Sequence, residues 1–184
     1  MKQQLYLTGF MGSGKTMIGK RLAEKYHRTF IDLDHAIEAR FQQSVKQLFE
    51  TKGEPFFRLM ETAELEHLSI IQDELVVALG GGAACNDRNL EIIKSTGMLV
   101  YLKVEPDLLV ERVMKNTNRP LLLKDDGTLK SADEIKKIIL DLLSKREKWY
   151  EKADICVEIN QRMEKDEVTQ LVHEQIEKYF RDSA

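Results

Sequence analysis

Eight residues into the chain, directly after the apolar run Leu5-Tyr6-Leu7, stands Gly9-Phe10-Met11-Gly12-Ser13-Gly14-Lys15-Thr16. It matches G-x-x-x-x-G-K-[ST], in which a strand runs into a glycine-rich loop and then a helix. Gly9, Gly12 and Gly14 let the backbone turn its N–H groups toward phosphate oxygens, and the following helix adds the positive end of its dipole. Lys15 supplies a mobile charge for β- and γ-phosphates, and Thr16 a hydroxyl for the magnesium ion that bridges them. A chain that begins this way is committed to an α/β architecture with a nucleotide at one edge of its sheet. The loop leaves the phosphate acceptor undefined.

The remaining pattern extends that architecture. Helical spacing of Ile18, Leu22 and Ala23 predicts a helix from Lys15 to about Lys25, and Thr29-Phe30-Ile31 a second strand ending at Asp32-Leu33-Asp34. A helix follows from near His35, a capping box opens at Ser44-Val45-Lys46-Gln47, and Gly53-Glu54-Pro55 starts a longer helix. Leu75 to Leu79 and Met98 to Lys103 are continuous apolar runs of the kind found in doubly covered parallel strands, with a helix from Asp87 to Lys94 between them. Pro106 opens a helix to about Lys115, Ser131-Ala132-Asp133-Glu134 caps another to about Lys152, Ile155 to Ile159 is the last strand and Asp166 to Phe180 the last helix. Five short strands separated by helices imply one parallel sheet covered on both faces, with ligands beyond the carboxyl ends of the strands. Gly9, Asp32, Asp34 and Gly80 to Gly82 fall at those ends.

Composition excludes several roles. With 184 residues the chain suits a single domain, and a formal charge of −3 leaves no basic excess for a nucleic-acid surface. Four scattered histidines and two cysteines offer no metal-ligand spacing, and Cys85 and Cys156 read as buried reduced thiols. No apolar run approaches the roughly 20 residues of a membrane span, so a cytoplasmic protein is expected.

Acceptor chemistry is suggested outside the loop. Asp32 and Asp34 lie two apart and would point the same way on an extended strand end, one toward magnesium and the other toward an attacking hydroxyl; alternatively the pair caps the next helix. Gly80-Gly81-Gly82 contributes no side chain to packing, so it serves a close approach of backbone, either to substrate or to a neighbouring helix. Arg58 and Glu61 share a helix face, as do Arg146 and Tyr150. Arg119, in Thr117-Asn118-Arg119-Pro120, sits in a polar segment from which its fork could reach a transferring phosphate.

Together these motifs resemble the shikimate kinase family. The resemblance spans the loop at Gly9 to Thr16, Asp32-Leu33-Asp34, Gly53-Glu54 with Phe57-Arg58 and Glu61, Gly80-Gly81-Gly82-Ala83, Asn116 to Leu122, and Arg146 with Tyr150. It implies a three-layer αβα P-loop kinase fold with strand order 2-3-1-4-5 and a mobile lid. The core would comprise 1–34, 75–115 and 153–184, the substrate-binding region about 35–62 and the lid about 116–130. It implies MgATP-dependent phosphorylation of the 3-hydroxyl of shikimate by a monomer.

By the same resemblance, Arg58 and Arg146 hold the substrate carboxylate, Asp34 deprotonates the hydroxyl, and Gly80, Gly81 and Gly82 line the ring. Glu61 keeps Arg58 placed, and Phe49 and Phe57 wall the pocket. Lys15 and Arg119 stabilise the transferring group. Gly12, Ser13, Gly14, Thr16, Met17 and Arg112 contact the nucleotide, with Arg112 against adenine, and Thr16 and Asp32 serve the metal. Where the family often has a proline beyond the last strand, this chain reads Asn160-Gln161-Arg162. The residues alone leave two alternatives, a kinase of another small acceptor such as gluconate and a non-catalytic ATP-binding module.

Overall fold

The computed structural model describes residues 4–115, 128, 130–160 and 162–182. Alternation in the first strand organises the molecule. In β1 (Gln4–Thr8), Leu5 and Leu7 enter one apolar cluster and Tyr6 the other, so the strand is buried on both faces. The sheet is parallel, in the order β2-β3-β1-β4-β5, with β2 at Thr29–Asp32, β3 at Leu75–Ala78, β4 at Gly97–Val104 and β5 at Ile155–Ile159.

On the face of Leu5 and Leu7 lie α1 (Lys15–Tyr26), α6 (Pro106–Met114), α7 (Ala132–Tyr150) and α8 (Lys165–Asp182), through Ile18, Leu109, Ile139 and Val172 among others. The face of Tyr6 carries α2 (Leu33–Phe41), α3 (Val45–Lys52), α4 (Glu54–Ser69) and α5 (Asp87–Thr96), through Ile37, Leu48, Leu65 and Ile93. Both expected capping boxes form, at Ser44 with Gln47 and Ser131 with Glu134, each serine contributing about 1 kcal/mol to its helix start. Three layers result, and the strand order is the expected one.

Two expectations fail. Along β5, Ile155, Val157 and Ile159 are buried but Cys156 and Glu158 face outward, because this edge strand is covered by α8 on one side only. Cys156 is therefore exposed and Cys85 half-buried, so the chain does not carry two buried thiols. The helix after β2 starts at Leu33, two residues earlier than predicted, so Asp34 lies in its first turn and not on an extended strand end. The expected lid at 116–130, including Arg119, lies almost wholly outside the described residues.

Candidate active site

The phosphate loop has the backbone its sequence demands. Gly12 (φ 83°) and Gly14 (φ 97°) occupy the left-handed region, and Gly14 caps α1 with no side chain to occupy the first amides of the helix. Those amides, at the positive end of α1, face a cavity of about 390 Å³ lined by Met11, Gly12, Lys15, Asp34, Gly81 and Arg112. Gly14, Thr16, Met17 and Asp32 line it as well. Lys15 Nζ donates to the carbonyls of Gly9 (2.9 Å) and Phe10 (3.0 Å), which holds the ammonium over its own loop. Arg112 reaches in from α6 and donates to the Gly12 carbonyl at 3.4 Å. Ser13 is buried in the loop, and its hydroxyl has no hydrogen-bond partner among the described residues.

Thr16 and Asp32 meet beside the loop, Thr16 Oγ1 donating to Asp32 Oδ2 at 2.6 Å. Asp32 also caps α2, accepting from the backbone N–H of His35 at 3.3 Å. Of the two readings of this aspartate the helix cap is observed, and the other oxygen of the same carboxylate faces Thr16 at the loop. A hydroxyl and a carboxylate at the phosphate loop are hard oxygen donors that suit magnesium, which takes its other ligands from phosphate and water. Among the described residues no cluster of three His, Cys, Asp or Glu side chains could hold a metal without them.

A second cavity, of about 690 Å³, opens on the other side of the glycine turn and is lined by Glu54, Pro55, Arg58, Gly82, Cys85 and Arg146. Arg58 is clamped from both ends. Its Nη1 donates to Glu61 Oε2 at 2.7 Å, and its Nη2 and Nε donate to Glu54 Oε1 at 2.7 and 3.1 Å. The Phe49 and Phe57 rings, 4.9 Å apart, lie 5.9 and 5.8 Å from its guanidinium carbon. Both rings lie against the arginine, at cation–π distance, and neither lines these two cavities. Arg146 crosses from α7, its guanidinium 5.7 Å from the Phe10 ring, and donates to the Gly81 carbonyl at 3.3 Å. One turn later the buried Tyr150 donates to the same carbonyl, and burial raises its phenol well above the ordinary range, which keeps it a neutral donor.

The three glycines make room for these side chains. A Cβ on Gly80 would lie 2.5 Å from Asp34 Oδ1 and 2.9 Å from Glu61 Oε1, and one on Gly82 would lie 2.5 Å from Arg58 Nη1. The close approach read from the sequence is thus made, within the protein, by charged side chains of the neighbouring helices α2 and α4. Gly81 lines the loop cavity and Gly82 the arginine cavity, so one turn separates them.

Both carboxylates behind that turn are strained electrostatically. Burial, then the neighbouring charge of Asp32, raises the Asp34 carboxyl above its ordinary range, with Lys15 and Arg58 opposing. Burial pushes Glu61 up to about 7 despite Arg58. Asp34 Oδ1 and Glu61 Oε1 are buried without a hydrogen-bond partner among the described residues. An unpartnered acceptor with raised proton affinity, set between a phosphate cradle and two arginines, is equipped to take a proton from a bound hydroxyl.

Sequence reasoning named Glu54 and Tyr150 but gave neither a role. Glu54 stands four residues before Arg58, the spacing that brings an acid and an arginine together on a helix, so the signal was present.

The sequence model of shikimate kinase matches residues 11–179. The chain belongs to the shikimate kinase family. The shikimate kinase of Chlorobaculum parvum is 40% identical over 182 residues, which cover 97% of each chain. Among solved structures, the shikimate kinase of Bacteroides thetaiotaomicron superposes with a TM-score of 0.85 at 35% identity, covering 95% of this chain and 98% of its own. That of Acinetobacter baumannii, solved in complex with shikimate, gives a TM-score of 0.83 at 34% identity and covers 96% and 93%.

Proposed function

We infer that this protein transfers the γ-phosphoryl group of ATP to the 3-hydroxyl of shikimate, giving shikimate 3-phosphate and ADP on the route to chorismate and the aromatic amino acids. The observation that carries the reading is the position of Asp34, which lines the phosphate-loop cavity while its Oδ1 lies behind the glycine turn that leads to Arg58 and Arg146. In an acidic ring substrate, the carboxylate would lie against those two guanidiniums, whose planar forks suit carboxylate oxygens. Its 3-hydroxyl would then face Asp34. As the oxygen attacks the γ-phosphorus, Asp34 takes the proton and the bond to the β-phosphate oxygen breaks in line.

The P-loop amides and Lys15 stabilise the charge that gathers on the transferring group and the departing ADP. Arg119, on the segment beyond α6, would join them from the lid, and Arg112 would lie against the adenine. Thr16 and Asp32 would hold magnesium, which would supply positive charge to offset that of the phosphates. Most of the rate gain would come from positioning, since phosphoryl transfer asks little covalent chemistry of the protein. The enzyme would work as a monomer in the cytoplasm.

The decisive assay couples ADP release to a spectroscopic signal, with shikimate, gluconate or no acceptor present. ADP release that depends on shikimate alone is expected, and release indifferent to it would overturn the reading. Gly82→Ala offers a narrower check. The new methyl would meet Arg58 Nη1 at 2.5 Å and displace the guanidinium, so KM for shikimate should rise about tenfold while KM for ATP stays nearly constant.

A further inference from the structure

Asn89, in the first turn of α5, is completely buried, an unusual place for an amide unless each of its groups is used. Its Nδ2 donates to the carbonyl of Ala83 at 2.7 Å, and its Oδ1 accepts from the Thr62 hydroxyl, also at 2.7 Å. The Ala83 carbonyl can only accept, which fixes the orientation of the amide. The backbone N–H of Asn89 is satisfied separately, by the Asn86 side chain that caps the helix. One side chain thus joins three pieces of structure: α4 through Thr62, the glycine turn through Ala83, and α5 through its own backbone.

One end of the bridge, Thr62, lines the arginine cavity, and the other, Ala83, adjoins it. Ala83 follows Gly82, and its N–H closes the turn on the Gly80 carbonyl at 3.1 Å. Thr62 is one helical turn from Arg58 and adjoins Glu61, the residue that clamps Arg58. The Arg58 guanidinium passes over Gly82 so closely that no side chain fits between them. The separation of α4 from the turn therefore sets where Arg58 sits, and the amide of Asn89 is the polar tie across that separation.

We propose that Asn89 is a positioning residue for acceptor binding, acting through Thr62 and Ala83 to hold Arg58 in register with Gly82. The proposal rests on reading the arginine cavity as the shikimate site. An apolar residue of equal size would fill the space but leave the Ala83 carbonyl without its donor and the Thr62 hydroxyl with only the Arg58 carbonyl, 3.2 Å away, so the turn would be free to shift against α4. The phosphate loop, built on β1 and α1, is not joined by this tie, so the nucleotide side should be spared.

Steady-state kinetics on Asn89→Leu, Thr62→Val and Thr62→Ser test this, with each substrate varied in turn. Asn89→Leu should raise KM for shikimate about tenfold with KM for ATP changed less than about twofold. Thr62→Val should act in the same direction, and Thr62→Ser, which restores a donor, should recover most of the loss. If Asn89→Leu does not fold, Asn89→Ala stands in for it, because Thr62 itself lines the cavity and its variants do not decide the matter alone. The proposal is overturned if both KM values rise together, as general loosening would cause, if neither rises, or if serine and valine behave alike. Wild-type enzyme that releases ADP without regard to shikimate would instead remove the acceptor reading itself.

Discussion

Asp34→Asn should abolish nearly all turnover and at the same time make the protein more stable. The catalytic loss follows from the proposed chemistry. Asparagine keeps the shape of the side chain but cannot take up the hydroxyl proton, and removal of a general base typically costs about 10²–10⁴ in rate. ATP binding should survive, because the P-loop contacts of Lys15 and the Thr16–Asp32 pair do not involve Asp34. The gain in stability follows from the raised proton affinity of this carboxyl. Its ordinary value is 3.8 and burial lifts it, so the folded protein holds the proton more tightly than the unfolded chain. No cost exists below 3.8; the cost grows as pH rises through the raised value and is complete above it. A neutral amide removes the cost, and its Nδ2 could donate to Glu61 Oε1, which crowds the same point above Gly80. Thermal unfolding at pH 8 should therefore show the variant a few degrees above wild type, with the gap closing toward pH 4. Near-normal turnover would remove Asp34 as the base, and a lower melting temperature at pH 8 would refute the electrostatic account.

That prediction turns on a feature the sequence disclosed only in part. The elements were legible because apolar periodicity and capping chemistry are local, as the boxes at Ser44 and Ser131 show. Asp32 and Asp34 were legible as chemistry but misplaced as geometry. Asp32 is a helix cap, a local signal, and its cap brings Asp34 into the first turn of α2. What occupies the space above the triple glycine was out of reach, since Asp34, Glu61 and Arg58 arrive there from helices placed only by the tertiary fold. The exposure of Cys156 was hidden for the same reason. The run Ile155-Cys156-Val157-Glu158-Ile159 announces a strand, and Glu158 marks one face as polar, but that Cys156 shares an uncovered face follows from the strand's place at the sheet edge. The paired arginines look ordinary on isolated helices, and only their joint approach to Gly81 and Gly82 gives them a common purpose.

Arg58→Ala should weaken shikimate binding by about two orders of magnitude, the usual consequence of removing one partner of a hydrogen-bonded charge pair. Calorimetric titration with shikimate reads this directly, and unchanged affinity would refute the carboxylate role. The variant also exposes what Arg58 does for the fold. Glu61 is almost wholly buried, its ordinary value of 4.5 is lifted to about 7, and Arg58 is the largest influence holding it down. A carboxyl raised in this way contributes fully to stability below 4.5 and loses that contribution as pH climbs through about 7. Without the guanidinium the folded value moves higher still, so the loss continues further into the alkaline range and becomes larger. Thermal unfolding should accordingly find Arg58→Ala close to wild type at pH 5 and clearly less stable at pH 8, with Glu61→Gln in the same background restoring the alkaline loss. Arg58→Lys separates charge from shape. An ammonium can still offset Glu61, so the pH dependence of stability should largely return, but it lacks the fork that engages Glu61, Glu54 and a substrate carboxylate together, so shikimate affinity should stay low.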